Sequence, residues 1–126
     1  MVHIAGMNER GSNSLIDHQL IDEIRRIEHA TGRNDVLSGF VRKLEENIAG
    51  FGDAFAAYVA RGDKTGALRA AHTLKGTCLQ LGAQALGDLF SDIEDSAKAG
   101  DYAEAKRKFE AAGGLIAESL EALKQA

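Results

Sequence analysis

Apolar side chains recur at Val36, Leu37, Phe40, Val41, Leu44, Ile48, Phe51, Phe55 and Val59, three and four residues apart along a single stretch of chain. That period is close to 3.6, the repeat of one face of a long helix, and it constrains the fold more than any other feature. A strand would need an apolar residue at every second position, and a stretch of this length could not be a single strand of ordinary size. The chain contains no proline, no tryptophan and two tyrosines in 126 residues, so nothing interrupts helices and little favours sheet. At this length one ordinary domain with a sizeable core is expected.

The same period marks the other elements. Ile16, Leu20, Ile21, Ile24 and Ile27 form a short amphipathic first helix that ends near Thr31-Gly32. Asn34 is placed to cap the long second helix, which runs to Gly62-Asp63. Asp63 caps a third helix that extends to Leu81-Gly82, with Leu68, Ala71, Leu74, Cys78 and Leu81 as its inward stripe. Leu86, Leu89, Phe90, Ile93 and Ala97 mark a fourth, ending at Gly100. Asp101 caps a fifth, with Tyr102, Ala105, Phe109, Ala112, Ile116, Leu120 and Leu123 inward and a bend at Gly113-Gly114. Gly39, Gly50 and Gly52 weaken the second helix, through close packing or mere tolerance. Short connections make successive helices antiparallel, so the fold expected is all-α: an up-down four-helix bundle with the short first helix covering one end. Met1 to Ser14, which includes His3, is polar and without apolar period; it is expected to be a flexible leader to a domain over 15–126.

The third helix carries the chemistry. Lys75 and Gly76 both lie one turn beyond His72, on a flank of the inward stripe, so the imidazole should be solvent accessible. A phosphorylated imidazole needs a nearby positive charge, which Lys75 supplies on a long stem. Glycine costs about 1 kcal/mol against alanine in a helix interior, and at Gly76 it suggests that another backbone comes close beside the histidine.

His72-Thr73-Leu74-Lys75-Gly76-Thr77, followed by Leu81-Gly82-Ala83, resembles the signature of histidine-containing phosphotransfer (HPt) domains, which relay phosphoryl groups in bacterial and plant phosphorelays. Gly62-Asp63 and Gly100-Asp101 match the Gly-Asp pairs that precede and follow the family's central helices, and the likeness extends from about Ile16 to Lys124. Thr77 and Cys78 stand where serine and alanine are common. The resemblance implies the four-helix architecture, a phosphoryl group carried on His72, and partners that are response-regulator receiver domains and a hybrid sensor histidine kinase. It implies no cofactor of the chain's own, Mg²⁺ being held by the partner receiver domain.

Glu94 lies on the following antiparallel helix, and counting about ten residues from His72 to the turn and about twelve back puts the two at similar height. The resemblance makes Glu94, within Asp92-Ile93-Glu94-Asp95, the hydrogen-bond partner of the imidazole. An acceptor at Nδ1 would keep the proton there and leave the Nε2 lone pair free for attack. Gln80, over two turns from His72, is a weaker candidate than Glu94 for contact with the ring, and Arg69, Gly76, Leu79 and Gln80 are the expected partner-facing residues.

Other functions find little support. A net charge of −4 argues against non-specific nucleic-acid binding, although Arg61, Lys64, Arg69 and Lys75 make the motif helix locally basic, suited to steering an acidic partner. No histidine has a glutamate three residues before it, His18 and His29 offer no ligand set, and there is no phosphate-binding loop or nucleophile elbow, so no metal site and no autonomous kinase activity are expected. Cys78, the one cysteine, falls on the apolar stripe and reads as a small buried hydrophobe. Without a signal peptide or an apolar span, a monomer in the reducing cytoplasm is expected. Two alternatives share parts of this pattern: a receiver-binding scaffold without transfer, and a structural bundle whose motif arose by chance.

Overall fold

The computed structural model describes residues 15–126, so the leader expected over 1–14 and His3 lie outside the described residues. Among the described residues six helices are defined in order: α1 (His18–Thr31), α2 (Val36–Ala60), α3 (Lys64–Leu81), α4 (Gln84–Lys98), α5 (Tyr102–Ala111) and α6 (Gly113–Gln125). No strand occurs among the described residues. Turns of two or three residues force α2, α3, α4 and the α5–α6 pair to alternate in direction, with α3 packed between α2 and α4 and α4 against α5. The all-α bundle read from the sequence is the fold.

Buried positions on α2 are Leu37, Val41, Leu44, Ile48, Phe51 and Phe55, a strict alternation of four and three. On α3 the same alternation selects Ala67, Ala71, Leu74, Cys78 and Leu81. Ala67 therefore takes the inward place expected of Leu68, which is only half-buried. Phe51 is the aromatic hub, with ring centroids 5.4 Å from Phe55, 5.2 Å from Phe90 and 5.0 Å from Phe109. Gly52 allows this closeness, since a Cβ there would stand 3.2 Å from Phe109 Cε2, whereas Gly39 and Gly50 face open space.

Two apolar residues expected inward point out. Phe40 is 52% exposed and Ile27 55%. Each sits about 100° around its helix from a buried position, Phe40 just before Val41 and Ile27 just before Glu28. Glu28 takes the inward place on α1 because its carboxylate has work there: Oε2 accepts from Leu37 N–H at 2.9 Å and Oε1 from Arg25 at 2.7 Å. Those bonds, the Leu37 amide first, hold its carboxyl below the usual range. The expected Asn34 cap is thereby displaced. Asp35 holds the N-cap position without a capping bond, and the donor at Leu37 is satisfied from α1 instead.

Gly82 fixes how α1 closes the bundle. It ends α3 with φ 87°, a left-handed conformation, and a Cβ there would stand 3.0 Å from the Asp17 carbonyl oxygen. Asp17 N–H donates to the Gly82 carbonyl at 2.6 Å, so the start of α1 is tied to the α3–α4 turn and covers that end. At the other extreme of the chain the expected bend becomes a break: Ala112 leaves helical geometry at φ −97°, ψ 14°, and α6 restarts at Gly113.

Ser119 is fully buried on α6, and its Oγ finds no partner among the described residues. An unsatisfied buried hydroxyl carries its desolvation cost without return. Ser119→Ala is therefore expected to raise stability by about 1 kcal/mol in urea unfolding; a loss of stability would show that the hydroxyl has a partner.

Candidate functional site

The inward stripe of α3 sets the direction of its neighbours. His72 follows Ala71 by one residue and so emerges on the flank, and Glu94 follows the buried Ile93 in the same way on α4. Because α3 is capped at Asp63, whose Oδ1 accepts from Gly66 N–H at 2.8 Å, and stops at Gly82, its register against α4 is fixed at both ends. The two flanks meet at the α3–α4 seam.

His72 Nδ1 lies 3.0 Å from Glu94 Oε2. The imidazole side chain is 68% exposed while the carboxylate is 6% exposed, so one partner faces solvent and the other is held by protein. Lys75 Nζ stands 3.4 Å from Glu94 Oε1, and Lys98 Nζ 3.8 Å from Oε2. Burial pushes the Glu94 carboxyl up, but the His72 hydrogen bond and the charges of Lys98 and Lys75 outweigh it and hold the group below its ordinary value. An ionised carboxylate can only accept, so the facing Nδ1 must be the donor. In a neutral ring so arranged, the lone pair falls on Nε2, the nitrogen at the exposed edge.

The remaining expected residues fall on two sides of His72. Leu79 lies toward α4, 41% exposed, and drapes over Gly87, where a Cβ would collide with its Cδ2. Arg69 and Gln80 lie toward α2: Arg69 is exposed beside Thr73, Asn47 and Gly50, and Gln80 lines a groove with Phe40, Lys43 and Ile24. Among the described residues nothing outside its own helix turn comes within 4 Å of the place a Gly76 Cβ would occupy, so the close backbone expected there is not found among them. Of the other basic residues, Arg61 stacks over the Tyr58 ring at 5.1 Å and Lys64 opens α3, both far down the helix from His72.

Lys98 and Gly87 had not been singled out by sequence. The Glu94-to-Lys98 spacing of four on one helix was a usable signal, whereas the seat that Gly87 gives Leu79 depends on how two helices meet. Cys78 is fully buried, and burial pushes its thiol up to about 12, which removes it as a competing nucleophile. No helix among the described residues is long and apolar enough to cross a membrane.

A family model described as the Hpt domain covers residues 35–126, which takes in α2 to α6 with His72 and Glu94 and leaves α1 outside. No curated protein and no solved structure matches the chain.

Proposed function

Because the chain belongs to the Hpt domain family, whose members carry phosphoryl groups on histidine in phosphorelays, we propose that it accepts a phosphoryl group on His72 Nε2 from the phospho-aspartate of one receiver domain and passes it to the aspartate of another. The observation that carries this reading is the 3.0 Å contact between Nδ1 and a buried, ionised Glu94. In the neutral ring it keeps the proton on Nδ1 and the lone pair on the exposed nitrogen, which is what attack on phosphorus needs.

In the forward step the Nε2 lone pair forms the N–P bond while the P–O bond to the donor aspartate breaks, and the electron pair of that bond leaves on the aspartate carboxylate. Nδ1 keeps its proton, so the phosphorylated ring becomes cationic, and Glu94 faces the new charge. Lys75, already at the site, can turn from Glu94 toward the phosphoryl oxygens. The return step runs the same changes backwards onto a second receiver. Phosphoryl transfer depends mainly on positioning and charge stabilisation, and the Mg²⁺ that assists it belongs to the receiver. The partners are thus receiver domains, one of them fed by a sensor histidine kinase, and the carrier acts as a cytoplasmic monomer. A scaffold that only bound receivers would use the exposed face but would have no use for a buried carboxylate behind the ring.

The test is to incubate the protein with a phosphorylated receiver domain and look for a label that is lost in acid, kept in base and located at His72. An unlabelled protein that still binds the receiver would put the scaffold in its place.

Gly76 gives a finer prediction about the docked partner. Gly76→Ala and Gly76→Gln are expected to raise stability by up to about 1 kcal/mol, since helix propensity improves and the added Cβ meets nothing. Transfer should nevertheless fall from Gly to Ala to Gln, because the receiver must bring its aspartate to roughly 3 Å from the imidazole. A stabilised Gln variant that relays at the wild-type rate would remove Gly76 from the interface.

A further inference from the structure

Three side chains converge on Glu94, and they are not equivalent. Lys75 reaches Oε1 from α3, the helix that carries His72, and is 32% exposed. Lys98 reaches Oε2 from α4, the helix that carries Glu94 itself, and is 60% exposed. The imidazole shares Oε2 with Lys98. Among the described residues no other charged group pairs with this carboxylate.

Resting on the phosphotransfer reading above, we propose that Lys98 is a positioning residue for the His72 nucleophile: it holds Glu94 Oε2 against the Nδ1 side of the ring and so keeps Nε2 free. A carboxylate this buried is costly to leave short of partners. If Lys75 turns to the phosphoryl group, Oε1 loses its partner at the moment the ring becomes cationic. Lys98 does not have to move at that moment. Its spacing is the favourable one for a helix, with glutamate four residues ahead of lysine, and both groups ride on α4, so the pair survives small shifts of α4 against α3. The two lysines thereby divide the work: Lys75 follows the phosphoryl group, and Lys98 keeps the carboxylate in place.

The experiment uses the full chain and two measurements. ¹⁵N NMR of unphosphorylated His72 reads the tautomer, and labelling from a phosphorylated receiver domain reads transfer. In the wild type the Nδ1–H form should predominate. Lys98→Met, which keeps the length of the stem and drops the charge, should raise the Nε2–H share and slow transfer roughly two- to fivefold, the scale of an exposed ion pair, with the thermal midpoint unchanged. Lys98→Arg should restore both readouts. Lys106→Gln removes one charge on α5, away from the site, and should change neither. A Lys98→Met protein with the wild-type tautomer balance overturns the proposal even if transfer slows, since Lys98 would then be meeting the partner directly. A shifted tautomer with unchanged transfer overturns it too. If the wild type takes no label at all, the phosphotransfer reading fails, while the tautomer comparison still judges what Lys98 does to Glu94 and the ring.

Discussion

His72→Gln is expected to abolish phosphoryl uptake while helical content and thermal midpoint stay at wild-type values. The side chain is 68% exposed, so its removal opens no cavity, and glutamine is at least as good a helix former as histidine. The glutamine amide can also donate to Glu94 Oε2, so the buried carboxylate keeps a partner and the seam between α3 and α4 is not left with an unmatched charge. What glutamine lacks is a nucleophilic nitrogen, and no binding energy from the rest of the docked surface can replace it. The loss should therefore be complete rather than partial, with the variant still binding the receiver. Labelling from a phosphorylated receiver, run beside a thermal melt followed by circular dichroism, separates the two effects. Full labelling of a well-folded variant would move the acceptor to another residue. Cys78 would not be that residue, because its thiol is buried and pushed up to about 12.

The sequence makes some of this site legible and hides the rest, for reasons that lie in particular residues. The height of Glu94 relative to His72 follows from counting down one helix and up the next, because the Asp63 cap of α3 and the two-residue turn at Gly82 leave little slack in the register. Periodicity alone cannot tell the centre of an apolar stripe from its edge, which is why Phe40 and Ile27 read as core and stand exposed. The same limit placed Leu68 inward where Ala67 belongs. Asn34 reads as a cap on local grounds, but the α2 amide at Leu37 is met by Glu28 from the previous helix, a tertiary contact that no local rule contains. The bend expected at Gly113-Gly114 is a full break at Ala112, since two adjacent glycines weaken a helix without saying which side of them it stops. The role of Lys98 was open to sequence only as an ordinary helix pair, and its meaning comes from sharing an oxygen with the imidazole.

Phe90→Ala carries the largest expected cost in stability, about 3–5 kcal/mol, the range for deleting a fully buried phenylalanine. Phe90 has no exposed surface, its ring meets Phe51 edge-on at 5.2 Å, and Phe109 lies 6.2 Å away, so the cavity would open where α2, α4 and α5 meet. Domains of this size are stable by only about 5–15 kcal/mol, so the variant should unfold at far lower urea than the wild type. The functional consequence follows from position. Phe90 lies one turn before Glu94 on α4, and its packing against Phe51 of α2 and Phe109 of α5 helps fix the position of the helix whose Glu94 makes the 3.0 Å contact to His72. A hydrogen bond of this kind is lost by about 3.6 Å, so a shift of α4 by well under one ångström is enough to free the ring. Transfer per folded molecule should then fall at temperatures where circular dichroism still reports a folded bundle. Phe90→Leu, which fills most of the same volume, should lose less stability and keep more of the transfer rate. A Phe90→Ala protein destabilised by less than about 1 kcal/mol would mean the core closes over the cavity, and one that is strongly destabilised yet transfers normally when folded would show that the His72–Glu94 register is held by the α3–α4 turn and caps, not by the aromatic core.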